Sequence, residues 1–278
     1  MRYRLQQTCS LLFLQKKEDM IKAVFFDIDG TLVSFKTHRI PASTVEALKR
    51  IKSRGIKIII STGRPVALIN NLGEIKDMID GYITNNGGYC FVGDKVLASH
   101  PIPLCDIETL MRVGEELNFA TMIIGEHDYM IHNPTPMVDE IFVKLLNVQD
   151  IDYSITAETV LKQNVYQLTP LVTPEQQEIL MSQMKESIAA RWHPDFADVT
   201  HKDADKGSAM LEMCKKLGIR PEETIAFGDG GNDITIIKAA GVGVAMGNAG
   251  DDVKEAADYI TDAIDDDGVK NALEVLIR

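Results

Sequence analysis

Two hydrophobic periods run along the chain, and the switches between them mark its elements. Ile21 to Phe26 leaves no room for a polar face, the pattern of a strand buried on both sides in a parallel sheet. Behind Pro41-Ala42-Ser43-Thr44, Val45, Leu48 and Ile51 then fall at helical spacing, Gly55 stands where a helix would end, and Ile56 to Ile60 reads as a second buried strand. Strand, helix, strand is a parallel crossover unit. Gly81 to Thr84 adds a third strand, closed by the turn residues Asn85-Asn86-Gly87-Gly88.

The same alternation returns near the end of the chain. A helix opens at Asp205-Lys206-Gly207, with Ala209, Met210, Met213 and Leu217 on its apolar side and Gly218 at its end. Strands at Thr224 to Phe227, Val242 to Met246 and Tyr259-Ile260 follow, separated by helices at Ile234 to Ala240 and Asp251 to Ala256 and closed by one at Asp267 to Ile277. Between these halves the pattern changes. Tyr89 to Ala98 reads as a hairpin, helices are expected near Asp106 to Leu117, Pro136 to Leu146 and Pro174 to Ser187, and strands at Ala120 to Ile124, Tyr129 to His132 and Val165 to Thr169. Clustered strands of this kind imply an antiparallel α+β domain inserted into an α/β core. The expected division is a core of 20–85 and 196–278, an insertion of 86–195, and an N-terminal extension of 1–19.

Composition changes this picture little: 278 residues, 45% hydrophobic and 25% charged, are ordinary globular material for one or two domains. The net charge of -12 argues against a nucleic-acid or membrane-surface binder, since both partners are anionic. Small anionic substrates need only local positive charge. Cys9, Cys90, Cys105 and Cys214 lack metal-ligand spacing and form no disulfide framework, which fits reduced thiols in a cytoplasm. Leu11 to Leu14 is too short for a signal peptide, and Gln15-Lys16-Lys17-Glu18 follows it directly. The oligomeric state is not legible.

Chemistry-bearing residues collect at strand ends. Asp27 and Asp29 flank one apolar residue after the first strand, so extended backbone would turn both carboxylates the same way, where a cation would relieve their repulsion. Ser61-Thr62-Gly63-Arg64 closes the second strand, and a hydroxyl and a glycine amide there suit a phosphate oxygen. Lys206 opposes the dipole of the helix it opens, which a nearby anion would explain. Gly228-Asp229-Gly230-Gly231-Asn232-Asp233 gathers three polar groups beside glycines that let a ligand approach the backbone. His193, Asp195, Asp198, His201, Asp203 and Asp205 have no known zinc spacing, and Asp265-Asp266-Asp267 reads as helix capping. No Walker loop or complete dinucleotide fingerprint is present.

Taken in order, Asp27-Ile28-Asp29-Gly30-Thr31, Thr62-Gly63-Arg64, Lys206 and Gly228-Asp229-Gly230-Gly231-Asn232-Asp233 resemble the four motifs of the haloacid dehalogenase superfamily. The position and length of the insertion resemble the α/β cap (type IIB) of its Cof-like phosphatases. The resemblance covers nearly everything from Met20 onward. It implies a Rossmann-like three-layer core with a mostly parallel sheet, and Mg²⁺-dependent hydrolysis of a small phosphomonoester such as a sugar phosphate. Asp27 would be the nucleophile and form an aspartyl-phosphate, with Asp29 as general acid and base. Lys206, Thr62, Gly63, Asn232 and the Ile28 amide would hold the phosphoryl group. Asp27, Asp229 and the Asp29 carbonyl would ligate the metal, supported by Asp233. The insertion would select the leaving group. Gly247-Asn248-Ala249 is frequent in the same group and receives no catalytic role. A phosphomutase or phosphotransferase would carry the same motifs, and a non-catalytic phosphometabolite-binding protein is the alternative of another class, although it would not need both Asp27 and Asp29.

Overall fold

The computed structural model describes residues 21–145, 148 and 151–277, so the expected extension of 1–19 lies outside the described residues. The described chain divides into two compact units, the first made of its residues up to Gly63 with Asn70–Ala98 and those from Asp205 onward, the second of Arg64–Ile69 and Ser99–Ala204.

The first unit is built on an eight-stranded sheet among the described residues. Its strands are β1 (Ala23–Phe26), β2 (Lys57–Ser61), β3 (Ile79–Thr84), β4 (Tyr89–Val92), β5 (Lys95–Ser99), β11 (Thr224–Gly228), β12 (Val242–Ala245) and β13 (Tyr259–Ile260), in the spatial order β13-β12-β11-β1-β2-β3-β4-β5. From β13 to β3 every pairing is parallel, and β4 returns antiparallel to β3. Strand β1 lies between β2 and β11, so the three loops that carry most of the polar motifs open side by side.

Burial on both faces explains the unbroken apolar strands. Ala23, Phe25, Ile59 and Ala226 pack with Met210, Met213 and Cys214 of α5 (Lys206–Leu217) and Ile236 of α6 (Ile234–Ala239). The alternate residues Val24, Phe26, Ile58 and Ile60 are equally buried, and Phe26 stacks on Phe227 with ring centroids 4.9 Å apart. Helix α1 (Ala42–Ser53) packs against α8 (Gly268–Leu276), and α7 (Asp251–Ala256) completes the helices of this unit. Gly218 ends α5 in the left-handed region at φ 67°, as its place in the sequence implied.

The second unit has its own antiparallel sheet, ordered β7-β6-β8-β10-β9, of β6 (Thr121–Gly125), β7 (Tyr129–His132), β8 (Val165–Pro170), β9 (Ser187–His193) and β10 (Phe196–His201). One face packs on α2 (Leu104–Glu116), α3 (Ala157–Leu161) and α4 (Pro174–Met181) through Ile107, Leu110, Val160, Leu168, Leu180 and Val199. The other buries Met122, Ile124 and Phe196 with Ile141 and Phe142 of a π-helical segment, Asp139–Leu145.

An α/β core with a mostly parallel sheet and a separate α+β unit is therefore the architecture, but its boundaries differ from those expected at 86 and 195. The hairpin β4-β5 extends the first sheet, with Tyr82 pairing Phe91. Residues 187–201, of which only Ser187 was expected in an element, the end of a helix, form the β9-β10 hairpin of the second sheet. The helix stops at Met181 because the buried Asp106 carboxylate accepts bonds from the Lys185 and Glu186 amides and the Ser187 hydroxyl, turning the chain into β9.

Candidate active site

Strand β1 ends at Phe26, one residue before the motif, and Asp27 N–H still bonds to Phe227 O at 3.1 Å. From Ile28 the chain turns: Leu32 and Val33 N–H both donate to Ile28 O, and Gly30 N–H donates to Val33 O. Asp27 thus stands before the turn and Asp29 within it. Gly30 makes the turn at φ 87°, and a Cβ there would lie 2.2 Å from Asp229 Oδ2, so both conformation and space require glycine.

Lys206, the first residue of α5, is buried and reaches the end of β1. Its Nζ donates to Asp27 Oδ1 at 2.8 Å and to Asp233 Oδ1 at 2.6 Å. The other Asp233 oxygen accepts the Asp229 and Gly230 amides at 3.1 and 3.0 Å. Thr31 Oγ1 donates to Asp229 Oδ1 at 2.8 Å. Ligand atoms of Asp27, Asp229 and Asp233 all lie within 4.8 Å of one another.

Two carboxylates thus share one buried ammonium, with a third, half-buried, close by. Burial pushes the Asp27 carboxyl well above its ordinary value; Lys206 pulls it back only in part, and Asp233 and Asp229 add to the rise. Burial likewise raises Asp229 to about 6, against the Thr31 hydrogen bond. Burial alone would lower the Lys206 ammonium, but the charges and hydrogen bonds of Asp233 and Asp27 outweigh it and hold the proton more firmly. An all-oxygen donor set with uncompensated negative charge fits a hard divalent cation. Within it Asp233 spends one oxygen on Lys206 and the other on two backbone amides.

Thr62 and Gly63 lie in the loop after β2, which Asn86 links to Asn232, the neighbour of Asp233. Thr62 is buried after β2, with its amide on Ile83 O at 2.8 Å and its carbonyl accepting Asn86 N–H at 3.1 Å. A Cβ on Gly63 would stand 3.1 Å from Asn86 Oδ1, which also accepts Asn232 Nδ2 at 2.8 Å. Asn85 and Asn86 both take positive φ, 50° and 53°. Reading Asn85-Asn86-Gly87-Gly88 only as a turn therefore missed that Asn86 ties the Gly63 loop to Asn232. Thr31 and Asn248 were missed too, since their contacts to Asp229 join residues 198 and 19 positions apart. The acidic run is structural: Asp265 accepts from Ser34 and pairs with Lys36, and Asp267 accepts from Ser43. In the second unit Asp198 accepts bonds from Gln167 and Thr169, while His193 and His201 accept the Asp195 and Asp203 amides.

Polar residues at the carboxyl ends of parallel strands, around a buried lysine and a carboxylate cluster, define a phosphoryl-transfer type of α/β site. A family profile of haloacid dehalogenase-like hydrolases matches residues 24–273. The chain belongs to that family. It is 45% identical to the HAD subclass IIB sugar phosphatase BT4131, whose structure it matches with a TM-score of 0.82 over 91% of this chain and 98% of that one. It is 35% identical to BT1666 from Bacteroides thetaiotaomicron, a phosphatase of the same superfamily, with a TM-score of 0.82 over 92% and 95% of the two chains. It is also 29% identical over 264 residues to the 5-amino-6-(5-phospho-D-ribitylamino)uracil phosphatase YcsE of Bacillus subtilis (strain 168), covering 94% of this chain and 97% of that protein. The resemblance to Cof-like phosphatases read from the motifs is borne out.

Proposed function

We propose that the protein is a Mg²⁺-dependent phosphomonoester hydrolase acting on a small phosphorylated sugar or sugar-like polyol in a cytoplasm. The observation that carries this reading is the buried Lys206 held between Asp27 and Asp233 beside Asp229, a cationic anchor at the foot of a carboxylate cluster. The substrate class follows from two relatives, one a sugar phosphatase and one acting on a phosphoribityl compound. The cytoplasmic setting rests on Cys90, Cys105 and Cys214 being free thiols. No helix among the described residues is long and apolar enough to cross a membrane.

In this reading an Asp27 oxygen attacks phosphorus and the ester P–O bond breaks, with Asp29 giving its proton to the departing oxygen. Water then attacks the aspartyl-phosphate, loses a proton to Asp29, and releases orthophosphate with Asp27 restored. Lys206, the Thr62 hydroxyl, the Gly63 and Ile28 amides and Asn232 hold the phosphoryl oxygens through both steps. Asp27, Asp229 and the Asp29 carbonyl would hold Mg²⁺, supported by Asp233, and the ion would neutralise charge among phosphoryl oxygens and carboxylates. The second unit would recognise the leaving group.

A panel of sugar phosphates, assayed with Mg²⁺ and with excess chelator, tests the reading. Orthophosphate release that stops with chelator is expected. Full activity in chelator would remove the metal, transfer to a sugar hydroxyl without release would indicate a phosphotransferase, and binding without turnover would indicate a sensor.

A further inference from the structure

Asn248 lies in the loop after β12, exposed at its outer side, and the motif to which it belongs has no task in the scheme above. An exposed asparagine ordinarily spends its amide on water. This one spends both ends on the protein. Its Nδ2 donates to Gly30 O at 2.9 Å and to Asp229 Oδ2 at 3.3 Å, and its Oδ1 accepts Ile264 N–H at 3.0 Å. One side chain therefore joins the turn after β1, the loop after β11 and the segment after β13.

The consequence falls on Asp229. With Thr31 Oγ1 on Oδ1 and Asn248 Nδ2 on Oδ2, the plane of this carboxylate is set from both sides. Asp229 stands beside three glycines, which have no side chains to hold it. Neutral donors orient the group without cancelling the negative charge that a cation needs. The link to Gly30 O also ties the turn carrying Asp29 to the same clip. We infer that Asn248 is a positioning residue for the divalent cation, holding Asp229 and the Gly30 turn in the arrangement that binds it. This rests on the reading of Asp229 as a cation ligand. Hydrogen-bonding groups behind metal ligands are worth about 10- to 100-fold in affinity where they have been removed.

The test is Mn²⁺ titration of the metal-stripped full-length protein by electron paramagnetic resonance, with competition by Mg²⁺, for the parent, Asn248→Ala, Asn248→Ser and Asp229→Ala. Serine offers Ile264 N–H a polar neighbour but is too short to reach Asp229. We expect both Asn248 variants to bind Mn²⁺ and Mg²⁺ about 10-fold or more weakly, while kcat at saturating Mg²⁺ recovers to within about threefold of the parent. Asp229→Ala should lose the site. Failure of the parent to bind, or unchanged binding by Asp229→Ala, would overturn the cation-site reading itself. If those two behave as expected while folded Asn248 variants bind like the parent, or lower kcat without moving the metal constant, the positioning role is wrong. Failure of both Asn248 variants to fold would equally overturn it, since the side chain would then be a structural clip.

Discussion

At the scale of single residues, Asp27 combines two demands that conflict. As the proposed nucleophile it would have to stay accessible, yet it is buried beside Asp229 and Asp233, which raise the cost of its charge. Asp27→Asn is therefore expected to abolish phosphate release, by about 10³-fold or more, without lowering the unfolding midpoint of the metal-free protein. The amide fills the same space and removes one of three crowded carboxylates, while Lys206 keeps Asp233. A variant of near-parental rate, with no reversion to aspartate by mass spectrometry, would place the nucleophile elsewhere. Glu223 shows the opposite kind of carboxylate. The Arg220 amide, then the Lys22 and Arg220 side chains, hold it down at about 2, below the ordinary 4.5. A depressed folded value contributes stability that is present above the unfolded value and is lost as pH falls through the folded one. The stability gap between the parent and Glu223→Gln should therefore be constant above about pH 5 and shrink steadily from pH 4.5 to 2. Denaturant melts across that range measure it, and a gap that widened on acidification would contradict the assignment.

At the scale of elements, the turn after β1 shows what local sequence encodes and what it leaves out. The apolar run, the aspartates and Gly30 announced a strand ending in a polar turn. The need for glycine, however, comes as much from Asp229, which the sequence sets 199 positions away and the sheet brings alongside. Gly30→Ala is expected to destabilise the protein by about 1–3 kcal/mol through the φ of 87° alone. It should also weaken Mn²⁺ binding, because the added methyl displaces Asp229. Normal metal affinity in a folded Gly30→Ala variant would show that Asp229 can move without cost to the site. The core strands and helices were legible because each carries its own period and its own end signals, such as Gly55 and Gly218. The β9-β10 hairpin was not. Its sequence, with Ala189-Ala190 in one strand and Asp198 in the other, is a weak strand former; Asp198 is accommodated by Gln167 and Thr169 of the neighbouring β8, and Ala197 and Val199 by the apolar core. The site divides the same way: residues recognised by type at strand ends came together, whereas Asn86, Thr31 and Asn248 matter through partners distant in sequence.

At the scale of the whole molecule, the revised boundaries decide how the two units can be separated. We expect the second unit to choose the leaving group, because the residues assigned to the phosphoryl group all lie in the first. A cut at 89–190, inside the insertion expected at 86–195, would strip β4 and β5 from the first sheet and leave β10 without β8 or most of β9. A strand with unpaired amide and carbonyl groups invites aggregation. Removing 100–203 behind a short linker keeps the eight-stranded sheet whole, at the cost of exposing Leu68, whose apolar neighbours in the second unit are removed. The first deletion should therefore precipitate or melt without cooperativity, and the second should melt cooperatively and still bind Mn²⁺. The shorter protein should hydrolyse a small aryl phosphate but lose the parent's ranking among sugar phosphates, since nothing remains to recognise the part of the substrate beyond the phosphate. Calorimetry and a rate panel on both deletions measure this. If the folded 100–203 deletion kept the parent's ranking, the loops of the first unit would have to read the leaving group, and the second unit would serve only to exclude water.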